Sequence, residues 1–164
     1  MVLIQQNGID RADTESDRMD MFHNNFRGMW NELYSACAEN KRRRGQSIRA
    51  FLSLAKSFCY QLTMHHTIEE RHLFPELAVR MPEFRKELSL LSQHHEIHQG
   101  LEKLKAYVTK CRTGETELQL THMKALMDNF GGVLWAHLND EVMALGAENM
   151  RKYWNLHEMA LLYR

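Results

Sequence analysis

The chain reads as an all-α protein: an antiparallel up-down-up-down four-helix bundle with a short fifth C-terminal helix. Three observations predict this. Pro75 and Pro82 are the only prolines in 164 residues. Strong helix formers dominate and runs of β-branched residues are few. Apolar residues recur at three- and four-residue steps through four long stretches joined by short breaks, as in helices packed side by side. The length suits one domain with a sizeable core.

Residues 1–12 show no clear period and are expected to form an N-terminal arm, leaving 13–164 as the bundle domain. Asp13, Thr14, Ser16 and Asp17 are cap-type residues for a first helix, whose stripe is Met19, Phe22/His23, Phe26, Trp30, Leu33 and Cys37. A second helix is expected from Gln46 or Ser47, with Ile48, Leu52, Ala55, Cys59, Leu62, His66, Glu70 (or Glu69) and Leu73 on its inner face. Pro82 implies a boundary near Arg80 or Met81 and falls in the first turn of the third helix. That helix carries Phe84, Leu88, Leu91, His94 (or His95), His98, Leu101, Leu104 and Val108, and breaks at Thr113-Gly114. A fourth helix is expected from about Glu115, with Leu118, His122, Leu126, Phe130, Val133, His137, Glu141 and Ala144 inward. Gly131-Gly132 inside it would permit close helix approach. The fifth helix is expected over residues 148–163.

Composition excludes several classes. Lys+Arg and Asp+Glu are both 21, so the formal net charge is zero, without the basic excess of a nucleic-acid binder. The basic run at residues 41–44 reads as a solvated loop. No apolar run approaches the roughly 20 residues of a membrane span, and the N-terminus lacks the features of a signal peptide. Cys37, Cys59 and Cys111 are widely spaced and odd in number, as in core residues of a reducing compartment. A cytoplasmic protein without nucleic-acid or membrane partners is expected.

The chemistry concentrates at residues 64–72, which hold three of the ten histidines and two carboxylates. Such a cluster is costly to bury unless a cation pairs with it. The other helices supply partners. His23 lies on the first stripe, and His66 with Glu70, His94 with His98, and His137 with Glu141 are each four residues apart, hence on one helix face. His65 with Glu69 has the same spacing, but the apolar stripe favours His66 with Glu70. His95 competes with His94, and the step to His98 favours His94. His72, His122 and His157 are read as non-ligands. Five histidines and two carboxylates exceed a tetrahedral zinc site and suit two metals with bridging carboxylates, iron foremost.

A lone histidine, His-x-x-x-Glu, His-x-x-x-His and a final His-x-x-x-Glu, in that order on separate helices, resemble the hemerythrin-like HHE cation-binding family. Local wording agrees: His65-His66-Thr67-Ile68-Glu69-Glu70 with Leu73-Phe74-Pro75, His94-His95-Glu96-Ile97-His98-Gln99-Gly100-Leu101, and His137-Leu138-Asn139-Asp140-Glu141. The resemblance covers roughly residues 15–145. It implies two iron ions under an oxo or hydroxo bridge, one bound by His23 and His66, the other by His94, His98 and His137, with Glu70 and Glu141 bridging. One departure bears on function. Oxygen-carrying members close the motif with an aspartate five residues after the last histidine, where this chain has Val142.

The resemblance implies a partner that is dioxygen, another small diatomic or a peroxide. A di-iron oxidoreductase acting on an organic substrate and an iron-handling or regulatory protein are the competing readings. A ferritin-like centre is disfavoured because Glu-x-x-His occurs once, as Glu69 with His72. A zinc protease is excluded because Gln99 stands where His95-Glu96 would need a second histidine.

Overall fold

The computed structural model describes the backbone of residues 2–85 and 89–162, with side chains from Ser16 onward, Ala160 excepted. Its elements are α1 (Val2–Ala38), α2 (Ile48–Ile68), a π-helical turn (Glu69–Leu73), α3 (Phe74–Leu77), a 3-10 turn (Pro82–Phe84), α4 (Ser89–Arg112), α5 (Leu120–Leu145), α6 (Ala147–Met150) and α7 (Leu156–Leu162). No strand occurs among the described residues. The protein is a helical bundle: α1 packs on α2 and α5, α4 packs on α2 and α5, and α7 and α6 lie against α1. Among the described residues, no helix is long and apolar enough to cross a membrane.

Local chemistry accounts for the boundaries. Ser47 caps α2 by accepting a hydrogen bond from the Ala50 amide at 3.0 Å. Gly114, at φ +78°, closes α4 in the left-handed region, with the Glu115 amide donating to the Lys110 carbonyl at 3.0 Å. The fourth long helix starts at Leu120, later than its apolar pattern suggests. The preceding loop is held by the Gln119 amide, which donates to the Tyr107 hydroxyl at 2.8 Å. The expected fifth helix divides into α6 and α7 around residues 151–155. The arm expected over residues 1–12 has helical backbone from Val2, and its side chains lie outside the described residues.

Pro75 shapes the most consequential stretch. An α-helix continuing through it would press the proline ring on the Arg71 carbonyl. The chain instead widens one turn, and the Phe74 amide donates to the Glu69 carbonyl, five residues back. The buried positions accordingly run Leu62, His66, Glu69, Phe74 and Leu77.

Two apolar clusters fill the bundle. One holds Phe26, Trp30, Leu33, Phe58, Leu62, Ile97, Leu101, Phe130 and Leu138 among others. The second holds Phe74, Leu77, Met81, Phe84, Leu90, Ala144, Leu145 and Met150. His23, His66, Glu69, His94, His137 and Glu141 are all buried, and along each long helix they fall between the residues of these clusters. A polar layer thus interrupts an otherwise apolar interior. The three cysteines are unpaired, and burial pushes the Cys37 thiol up to about 11 and that of Cys59 to about 12. Both therefore stay protonated and act as packing groups.

Two glycines let helices approach. A Cβ on Gly131 would lie 2.8 Å from the Trp30 ring, and one on Gly100 would lie 2.5 Å from Phe130 Cδ1, whereas Gly132 faces open space. Gly100→Ala is expected to destabilise the chain by about 1–3 kcal/mol through overpacking. Gly132→Ala should leave stability unchanged or raise it slightly. Thermal unfolding of the two variants checks this, and equal melting temperatures would refute it.

Candidate metal centre

Two sets of side chains converge in the polar layer. His66, Glu69, His94 and His137 each bring a ligand-type atom within 4.8 Å of the others, as do His23, His65, Glu69 and Glu141. Glu69 belongs to both sets. Glu141 also reaches across, with Oε2 3.2 Å from His23 Nε2 and 3.3 Å from His137 Nε2. Glu69 Oε1 lies 2.7 Å from His65 Nε2, and its Oε2 3.4 Å from His94 Nε2. Five imidazoles thus surround two carboxylates, supplied by α1, α2 with its π turn, α4 and α5.

Helical geometry explains why His65 and His66 both take part. Successive residues are about 100° apart around the axis, and Glu69, one turn on, falls at an angle between the two. His65 faces α1, its ring centroid 5.4 Å from that of His23 and 5.1 Å from that of Phe26. His66 faces α4, stacked on His94 at 3.9 Å. Glu70 is rotated past His66, 44% exposed, and accepts a hydrogen bond from His94 Nδ1 at 2.9 Å.

The structure therefore brings together His23, His66, His94, His137 and Glu141 of the residues singled out from sequence, and leaves Glu70 and His98 outside the buried cluster. On α4 the inner face passes from His94 to Ile97 and Leu101, which turns His98 to the surface. His65 and Glu69 take part in their place. The available signal was the adjacent histidine pair with a glutamate at an angle between them; an inner stripe one residue wide admits only one histidine of that pair. His95 is exposed and contacts Gln99 at 3.0 Å. His122, expected on the inner stripe of α5, is exposed against Tyr107.

The hydrogen bonds around the cluster point outward. His23 Nδ1 lies 2.9 Å from the Leu138 carbonyl, His94 Nδ1 2.9 Å from Glu70 Oε1, and His137 Nδ1 3.1 Å from Gln93 Oε1. Each partner atom can only accept, so each Nδ1 carries the hydrogen and each Nε2 is left bare and turned inward. The bare nitrogens of His94 and His137 then meet at 3.0 Å, lone pair to lone pair. The four carboxylate oxygens of Glu69 and Glu141 and the Nε2 of His66 are buried without a hydrogen bond of sound geometry.

Burial pushes the His66 imidazole well below its ordinary range, and lowers His65 to about 4 and His94 to about 3, so these rings stay neutral. Burial and then the adjacent Glu141 push the Glu69 carboxyl well above its usual range. Inward lone pairs and two crowded carboxyl groups form a buried cluster short of positive charge. Imidazole nitrogen with carboxylate oxygen is a donor set suited to iron and its neighbours in the first transition row.

A helical bundle enclosing such a cluster defines a class of metal-binding proteins. The family model for the hemerythrin HHE cation-binding domain matches residues 14–146, and the chain belongs to that family. It is 30% identical over 142 residues to the dimeric xanthone biosynthesis cluster protein R11 of Cryptosporiopsis sp. (strain 8999), an alignment covering 83% of this chain and 53% of that protein. The chain thus spans about half the length of that curated relative. No solved structure matches it.

Proposed function

We propose that the chain is a non-haem di-iron protein that binds dioxygen or a related small oxidant in the bundle core. His66, His94 and His137 would hold one iron, His23 and His65 the other, with Glu69 and Glu141 shared between them. The observation that carries this reading is the set of unpartnered buried atoms. Carboxylate oxygens of Glu69 and Glu141 and the Nε2 atoms of His23, His65, His94 and His137 approach one another in pairs at 2.7 to 3.4 Å, with too few hydrogens to satisfy them all. Keeping both carboxylates ionised in that crowded interior without a cation would cost several kcal/mol. Cations between them remove that cost, and Glu69, reaching both sets, suits a bridging role.

Bound iron would supply an open coordination position and one-electron redox chemistry there. The chain's own side chains hold the donor atoms in place, keep bulk water out through the two flanking apolar clusters, and fix three histidine tautomers. The placement of the polar layer supports the antiparallel up-down-up-down course of α1, α2, α4 and α5. The order of the two apolar clusters around that layer reverses from each of these helices to the next.

An oxidoreductase acting on an organic substrate is favoured by one further feature. A groove of about 410 Å³ opens beside the cluster, lined by His66, His94, Glu70, Thr63 and Thr67. The relative's assignment to a xanthone biosynthesis cluster is consistent with an organic substrate. Anaerobic reconstitution with ferrous iron, followed by absorption spectroscopy in air, separates these readings. Two irons per chain are expected on the two-set geometry. A spectral change reversed under argon supports a carrier, and a lasting one supports an oxidoreductase or iron-handling role. One iron or none would refute the di-iron assignment.

A further inference from the structure

Among the three pinned histidines, His137 differs in what holds it. His23 is met by a backbone carbonyl and His94 by a carboxylate, neither of which can donate. His137 is met by the side-chain amide of Gln93, which can present either its oxygen or its NH2 group. An amide turned by 180° would donate to Nδ1, put the ring hydrogen on Nε2, and remove the lone pair that faces the cluster. Something must therefore decide which way Gln93 faces. Its Nε2 lies 2.8 Å from Oδ2 of Asp140, an exposed residue beside Glu141 on α5. A carboxylate has no hydrogen for an amide oxygen, so only the NH2 group of Gln93 can meet it. The amide oxygen is then left to His137 Nδ1, and Nε2 stays bare, 3.3 Å from Glu141 Oε2.

We propose that Asp140 and Gln93 are positioning residues of the metal centre: Asp140 sets the direction of the Gln93 amide, and Gln93 holds His137 in the tautomer that binds a metal through Nε2. The inference rests on the metal reading above. It assigns a part in metal binding to an exposed carboxylate outside both ligand sets, acting through an amide and an imidazole.

The test uses the full chain carrying Asp140→Asn, Gln93→Leu or Asp140→Glu. The ring-nitrogen NMR signals of His137 are recorded in metal-free protein, and affinity for ferrous iron is measured by competition with a chelator. The wild-type chain is expected to show only the Nδ1–H form. Asp140→Asn, which offers Gln93 both a donor and an acceptor, and Gln93→Leu, which offers His137 neither, should show the Nε2–H form and bind iron about ten- to a hundredfold more weakly. Asp140→Glu should restore both readouts. Weaker binding with an unchanged tautomer would overturn the proposal and assign the effect to the charge of Asp140. An altered tautomer with unchanged affinity would overturn it too, as would variants that match the wild type in both. If the wild-type chain binds no iron, the di-iron reading fails, and the tautomer signals alone then decide whether Asp140 orients His137.

Discussion

Glu69→Ala is expected to abolish metal retention, while Glu70→Ala leaves the full stoichiometry with affinity lowered about tenfold. The two glutamates are neighbours in the chain and differ in what they reach. Glu69 is 3% exposed and belongs to both ligand sets, so its loss removes a donor from each. Glu70 touches the cluster only through His94 Nδ1. Glu69→Gln sharpens the comparison because it keeps the shape of the side chain. Its amide cannot supply the negative charge a bound cation needs, so metal should be lost here as well. The metal-free variant should nevertheless melt no lower than the wild type, since the substitution removes a buried carboxyl crowded by Glu141. Metal content by elemental analysis and melting temperature decide the matter. If Glu70→Ala emptied the centre and Glu69→Ala did not, the site would lie one residue further along.

The metal-free chain is expected to lose stability steeply as pH falls from about 6.5 toward 4. Buried neutral His65, His66 and His94 take up protons in the folded state only far below the ordinary 6.5, with His65 at about 4 and His94 at about 3. The unfolded chain binds those protons near 6.5, so in this window it holds more protons than the folded one. Stability is therefore fully present above 6.5 and is lost on acidification. Glu69 acts in the opposite sense: its raised carboxyl favours the folded state below the ordinary 4.5, and that contribution fades as pH rises through the folded value. Three histidines against one glutamate leave a net excess of about two protons, or about 3 kcal/mol of stability per pH unit at the steepest point. Denaturant unfolding of metal-free protein at pH 7 and pH 5 measures this. Equal stabilities would contradict the burial of these imidazoles. Bound metal, which needs the same rings unprotonated, should be released as pH falls through the same region.

Much of this protein was legible in its sequence because helical periodicity is a local property. The stripes through Trp30, Leu62, Leu101 and Phe130 mark faces that pack together in the first apolar cluster. His23, His94, His137 and Glu141 were legible as polar positions on those same faces, since a polar residue that keeps the period must be buried with its apolar neighbours. The pattern was less informative at helix ends. Leu118 continues the apolar spacing of α5, yet the Glu115 and Thr116 amides bond the Lys110 carbonyl and the Gln119 amide bonds the Tyr107 hydroxyl on α4, contacts made only in the folded chain.

What the sequence determined by itself is the class of protein: a helical bundle whose interior carries imidazole and carboxylate on several helices, in the order that marks its family. What only the tertiary structure decided is which member of each close pair turns inward. His65 or His66, Glu69 or Glu70, and Ile97 or His98 differ by one residue, about 100° of rotation, and a sequence stripe cannot resolve that while two neighbouring helices compete for the same face. The outcome was set by the packing of α2 against both α1 and α4, where His65 meets α1, His66 meets α4 and Glu69 fits between them. The fold places one glutamate between two histidines, and that placement, set by the packing of three helices, joins the two groups of donor atoms into one cluster.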